Sequence, residues 1–182
     1  MRISQIALIL LGLFITGCKQ SIPTDDEMIL HFNQHENAFN EIRDIIIQRE
    51  DGCYYPPYRT DTLYGDDVLS LKGLSCKKRM RLDSLLHMIG CERVFYFGKN
   101  WQRKYGNDTI QTTTISIPYF TFGLSIGGTT KEYLYNPSLA KKPYLITSPQ
   151  TDLNNLYHNT DKDTTFYKKI KEDWYIKLTH EN

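Results

Sequence analysis

The chain has 182 residues, with 22 basic and 21 acidic side chains and a formal net charge of +1. That length suits one ordinary domain with a single buried core. The near-balance of charge excludes recognition that rests on a broad basic surface, so nucleic acid is not an expected partner.

The N-terminus comes first in chain order. Arg2 precedes an apolar stretch, Ile6 to Ile15, that ends in Thr16-Gly17-Cys18. The stretch is about ten residues long, against the roughly 20 needed to span a hydrocarbon core. A positive start, a short apolar middle and a small-residue end are the parts of a signal peptide. Ile15, Thr16 and Gly17 stand before Cys18 as in a bacterial lipobox, so residues 1–17 are read as a lipoprotein signal peptide and Cys18 as the lipidated residue. Cleavage removes Arg2 and leaves 21 basic against 21 acidic residues. Two or more acyl chains, palmitate among them, would hold the chain stably on a membrane. Lys19 follows the cysteine where an inner-membrane retention signal would place Asp. In a host with two membranes this favours the outer one.

Residues 18–23 form a short tether, and residues 24–182 are read as a single domain. Thr24-Asp25-Asp26-Glu27 is a capping box, with acidic residues suited to the helix dipole. Met28, Phe32, His35, Phe39, Ile42 and Ile46 recur at three-and-four spacing, flanked by Ile29 and Ile45. This predicts an amphipathic helix to about Glu50. Residues 52–75 hold Pro56, Pro57, Gly65 and Gly73 and read as a long irregular segment. A loop of that length is either functional or stapled. A second helix fits Lys77 to Ile89 on the stripe Leu82, Leu85, Leu86, Ile89, with Gly90 as its stop.

From Glu92 the period changes. Arg93 to Phe97 reads as a strand, Lys99 to Asp108 as a polar loop, and Thr109 to Ile117 as a β-branched strand that Pro118 should end or place at an edge. Phe122 to Ile126 and Lys131 to Tyr135 flank a turn at Gly127–Thr130. Tyr144 to Thr147 fits a short strand. Asp152 to Tyr157 and Thr164 to Lys169 fit helical turns. Trp174 to Thr179 alternates and closes the chain as a strand. The heavy aromatic load, 13 Tyr and 8 Phe, also favours sheet. The expected fold is α+β, with N-terminal helices packed on one face of a mainly antiparallel sheet.

Beyond Cys18 stand Cys53, Cys76 and Cys91. An oxidising compartment suits one disulfide and one leftover thiol. Three pairings are open. Cys53–Cys76 is preferred because it would staple the long loop, with Cys91 as a buried small hydrophobe. His31 and His35 share a helix face, but no further ligands accompany them and no metal or other cofactor is expected. Gly123-Leu124-Ser125-Ile126-Gly127 has the letters of a nucleophile elbow without the following helix that the motif needs. Asp25–Asp26 is accounted for by capping, and Asp66–Asp67 by turn chemistry or a weak cation site. Trp101, Arg103, Lys104 and Tyr105, next to Lys99, gather basic and aromatic groups on one loop. These are the residue types that binding hot spots use, and they form the expected contact surface.

The mature chain resembles a set of small bacterial lipoproteins without an assigned activity. The resemblance lies in the lipobox followed by Phe32-x2-His35-x3-Phe39, in Gly123-Leu124-x3-Gly128-x2-Lys131-x-Tyr133-x-Tyr135, and in Ile170-x3-Trp174-Tyr175. It implies a lipid-anchored protein and carries no functional residue across. The expectation is therefore a non-enzymatic domain of the cell envelope, held on the membrane by its lipid and binding an envelope protein or glycan. A narrower form is an immunity-type inhibitor of an exported toxin. A different class is an envelope hydrolase whose His and Asp residues meet only in the fold.

Overall fold

The structure, a computed structural model, describes residues 21–47, 52–54, 74–98, 102–105, 108–111, 113–124, 127–160 and 162–181. Helix α1 spans Asp25–Ile46, β1 Gly52–Tyr54, α2 Cys76–Met88, β2 Val94–Phe97, β3 Gln102–Tyr105 and β4 Asp108–Gln111. Then come β5 Thr114–Leu124, β6 Gly127–Tyr135, α3 Leu153–His158, β7 Thr164–Lys171 and β8 Trp174–Glu181. For β1, β3 and β4 the description is of the backbone alone.

Six strands form one sheet in the order β1-β2-β5-β6-β8-β7, every neighbouring pair antiparallel. Alternation along the strands sends Ile115 and Ile117, Lys131 and Tyr133, and Trp174, Ile176 and Leu178 to one face. On that face α1 lays Met28, Phe32, Phe39, Ile42 and Ile46, and α2 lays Leu82, Leu85 and Leu86. These make the main core of an α+β domain. On the opposite face a smaller cluster joins Leu134, Tyr167 and Tyr175 to Leu139, with Leu145 and Ile146 packed against it.

The capping box at Thr24 and Glu27 is formed: Thr24 N–H donates to Glu27 Oε2 at 2.7 Å, and Glu27 N–H donates to Thr24 Oγ1 at 3.2 Å. His35, the third member of the stripe, breaks it: φ −120° and ψ 17° put a kink in α1, and the imidazole is half-buried rather than core. The basic start of α2 is accommodated by a Ser75 cap whose Oγ accepts from Lys78 N–H at 3.4 Å.

Five expectations for the second half need correction. The polar segment after Lys99 contains the β3–β4 hairpin, a separate two-stranded sheet. Pro118 does not end its strand. It sits inside β5 opposite Glu132 of β6, beyond the last β2–β5 pair at Ser116, so β5 has an edge there, and a bulge follows between Pro118 and Phe120. Gly127–Thr130 is strand, paired with β5 throughout and with β8 from Gly128 onward. Thr164–Lys169 is strand β7 rather than a helical turn, as its Thr-Thr-Phe-Tyr start favours once β8 offers an edge. Tyr144 to Thr147 is a 3-10 turn over Pro143–Leu145 followed by a single bridge from Ile146 to Tyr167.

Candidate functional site

Three features stand out: the point where the chain enters the domain, a His–Tyr cluster over the kink, and the end of the sheet that carries the β3–β4 hairpin.

The entry point is pinned by charge. Asp25, in the first turn of α1, points inward and is fully buried. Its carboxylate pairs with Lys131 Nζ at 2.7 Å and Lys168 Nζ at 3.1 Å. Its Oδ2 also accepts from Leu153 N–H at 2.8 Å, so Asp25 helps to cap α3 as well as starting α1. Asp152 reciprocates, accepting from Asp25 N–H at 3.1 Å and from Asn154 N–H at 2.7 Å. Lys131 Nζ further donates to Pro23 O at 2.6 Å and Asn154 Oδ1 at 2.9 Å. Burial pushes the Lys131 ammonium below its usual range, with the Asp25 carboxylate working against that shift.

The second feature stacks His31 between His35, Tyr119 and Tyr133, with ring centroids 4.8, 4.9 and 5.8 Å away. Tyr133 Oη donates to Met28 O at 3.2 Å, which leaves His31 Nδ1–H as donor in the 2.8 Å bond between His31 and Tyr133. His31 Nε2 is then the basic nitrogen. Desolvation, and then the neighbouring His35, lower the His31 pKa. Burial raises the phenol of Tyr133, and burial first, then the Glu92 charge, push the Cys91 thiol up to about 12. Tyr119 is the extra residue of the β5 bulge, and it also lines a cavity of about 230 Å³ with Gly90, Glu92, Arg93, Pro118, Phe120 and Thr121. A neutral imidazole held by a phenol can accept a proton, but acid–base chemistry needs a partner group in reach. Among the described residues, no three His, Cys, Asp or Glu side chains converge in a geometry that could hold a metal.

The third feature follows from strand register. The chain leaves the sheet after Phe97 and returns at Thr114, which are paired partners at the sheet's end. The β3–β4 hairpin lies between them. Near that end α1 also finishes: Asn40 accepts from the Trp174 indole N–H at 3.1 Å, and Tyr96 Oη donates to Ile47 O at 2.6 Å. The start of α1, at Asp25, lies by Lys131 and Lys168, further down the sheet. Helix α1 has 22 residues, about 33 Å at 1.5 Å per residue. Chain entry and the root of the hairpin therefore lie by opposite ends of α1.

Of the residues singled out from sequence, Cys18, Asp66, Asp67, Trp101 and Ser125 lie outside the described residues. Arg103, Lys104 and Tyr105 lie on β3, with only their backbone described. Cys76 is exposed on α2, and the Cys53 side chain on β1 is outside the described residues. Cys91 is free and buried. His158 and His180, isolated in sequence, both lie against Tyr157, at 5.0 and 4.8 Å. The sequence assigns no site role to Lys131, Lys168 or Asn154, and Lys131 enters there only as a strand and motif residue. The available signal was Lys131 and Lys168 at inward-facing positions of two alternating strands.

Residues 21–182 match the family described as Domain of unknown function (DUF4948). The chain belongs to that family. No curated protein and no solved structure matches the chain. Among the described residues, no helix is long and apolar enough to cross a membrane.

Proposed function

We propose that this DUF4948 protein is an exported, lipid-anchored domain of the cell envelope that binds another macromolecule, an envelope protein or glycan. Binding is through the end of the sheet that carries the β3–β4 hairpin. The anchor is Cys18. The contact residues are Trp101, Arg103, Lys104 and Tyr105. In a host with two membranes the Lys19 position favours the outer one.

The observation that carries this reading is the opposed placement of chain entry and hairpin. A tether entering at Pro23, by the start of α1, and a hairpin that leaves the sheet at the Phe97–Thr114 pair, by the end of α1, keep a contact surface clear of the bilayer. The buried Asp25–Lys131 pair, with both side chains fully buried, fixes the chain's entry relative to the sheet. A rigid entry suits a domain that must present one end outward. Aromatic and arginine side chains are the types that carry binding energy at interfaces.

Metabolic labelling with a palmitate analogue tests the anchor. The full-length protein should take up label and sediment with membranes. Cys18→Ala should lose the label and leave the membrane fraction. Equal labelling of both proteins would overturn the anchoring half of the proposal.

A further inference from the structure

At the chain entry, an amine, a carboxylate and a carboxamide meet in one buried site. Lys131 Nζ is fully buried and lies 2.7 Å from Asp25 Oδ1 and 2.9 Å from Asn154 Oδ1. The Asn154 amide nitrogen donates to Ile22 O at 3.3 Å and Pro23 O at 3.2 Å. Those two bonds set the plane of the carboxamide and turn its carbonyl toward the amine. Asp25 already has Lys168 as a second counter-charge at 3.1 Å, so it keeps a cation whether or not Lys131 is charged.

We propose that Lys131 and Asn154 become joined by an intramolecular amide bond between Nζ and Cγ, formed within the folded domain with Asp25 as the proton carrier. A carboxamide is a poor electrophile and an ammonium is no nucleophile. Fixed proximity supplies what free reactants lack, since well-oriented intramolecular groups reach effective molarities of about 10⁵–10⁸ M. Desolvation of Lys131 favours its neutral amine, and Asp25 is the base in contact with it.

The step balances without any co-reactant. The Lys131 ammonium gives one proton to the Asp25 carboxylate. The neutral Nζ attacks Cγ of Asn154, forming the new C–N bond and a tetrahedral centre. Asp25 returns its proton to Nδ2 and takes one from Nζ. The Cγ–Nδ2 bond then breaks and ammonia leaves, carrying off the remaining proton from Asp25 as ammonium. The product ties β6 to α3 beside the point where the chain enters. Reduction cannot open such a bond, unlike a disulfide.

Mass spectrometry decides the question. The purified full-length protein is denatured and digested, and the peptides containing Lys131 and Asn154 are sought. The expected result is one branched species, uncleaved at Lys131 and lighter than the two linear peptides together by the mass of one ammonia. Recovery of Lys131 and Asn154 only in separate, unmodified peptides would overturn the proposal, and this arm needs no variant to fold. In Asn154→Ala, checked for native circular dichroism, the deficit should vanish. A deficit that persists there would show that the ammonia comes from another site and would equally overturn it. In Asp25→Ala the peptides should be linear, and a branched species would remove Asp25 from its role.

Discussion

Tyr133→Phe removes one oxygen and leaves a ring of the same shape. The side chain is fully buried and packs against Phe39 and Tyr119, with ring centroids at 4.6 and 5.4 Å. No cavity is created, so the cavity cost of a larger truncation does not arise. What goes is the 2.8 Å bond from His31 Nδ1 and the 3.2 Å donation to Met28 O. The Met28 carbonyl lies inside α1 and keeps its helical partner. The half-buried His31 N–H loses its acceptor, and a stranded donor costs about 1–3 kcal/mol. We therefore expect a loss of about 2 kcal/mol, near the middle of that range. At roughly 2–4 °C per kcal/mol for a chain of this size, Tm should fall by about 4–8 °C. Urea unfolding followed by circular dichroism measures the free energy. A double-mutant cycle with His31→Ala isolates the pair, with an expected coupling of about 1 kcal/mol. A coupling within about 0.3 kcal/mol of zero would refute the reasoning, because the His31–Tyr133 bond would then contribute nothing.

The lowered pKa of His31 gives stability a defined pH dependence. The unfolded chain binds the proton more readily, so the contribution is present above the ordinary histidine value, near 6.5, and is lost as pH falls through the folded value. His31→Gln should flatten this acid limb in urea titrations at stepped pH, and an unchanged limb would assign it to other groups. Native-state alkylation near neutral pH should modify Cys76, which is exposed, and spare Cys91, which is buried with its thiol pushed up to about 12. Peptide mapping reads the sites, and modification of Cys91 before unfolding would contradict the packing described. Gly128→Ala should destabilise the β5–β6 hairpin by about 1–3 kcal/mol, because the added Cβ would meet the Phe122 carbonyl oxygen at 2.7 Å. Chemical denaturation checks it, and a neutral result would mean that the two strands part more easily than their register suggests.

The helices were legible because their evidence is local. The Thr24–Glu27 box and the stripe from Met28 to Ile46 locate α1, and Leu82, Leu85 and Leu86 locate α2. The strands were legible where β-branched and aromatic residues alternate, as in Trp174–Thr179. Pro118 misled because a bulge is a property of two strands together, and one strand's sequence does not show its partner. Thr164–Lys169 was misread for the same reason, since its pairing partner begins only at Trp174. The chain-entry cluster was the least legible. Asp25 looks like an ordinary first-turn carboxylate beside Asp26, and only the fold shows that one turns inward and the other stays exposed. Its partners Lys131 and Leu153 lie more than a hundred residues away in sequence. The His31–His35 pair was visible as a helical face, but Tyr119 and Tyr133, which complete the cluster, come from strands.

The proposed function is binding of an envelope macromolecule at the end of the sheet that carries the β3–β4 hairpin. Its most direct test is capture of the full-length protein from native envelopes after mild crosslinking, with the partner identified by mass spectrometry. One dominant partner is expected, and it should disappear when Trp101 and Arg103 are replaced by Ala while the variant stays folded and membrane-bound. A toxin as that partner would narrow the function to inhibition. A dominant partner retained by the variant would contradict the assigned face, and no partner above background would contradict stable macromolecular binding itself.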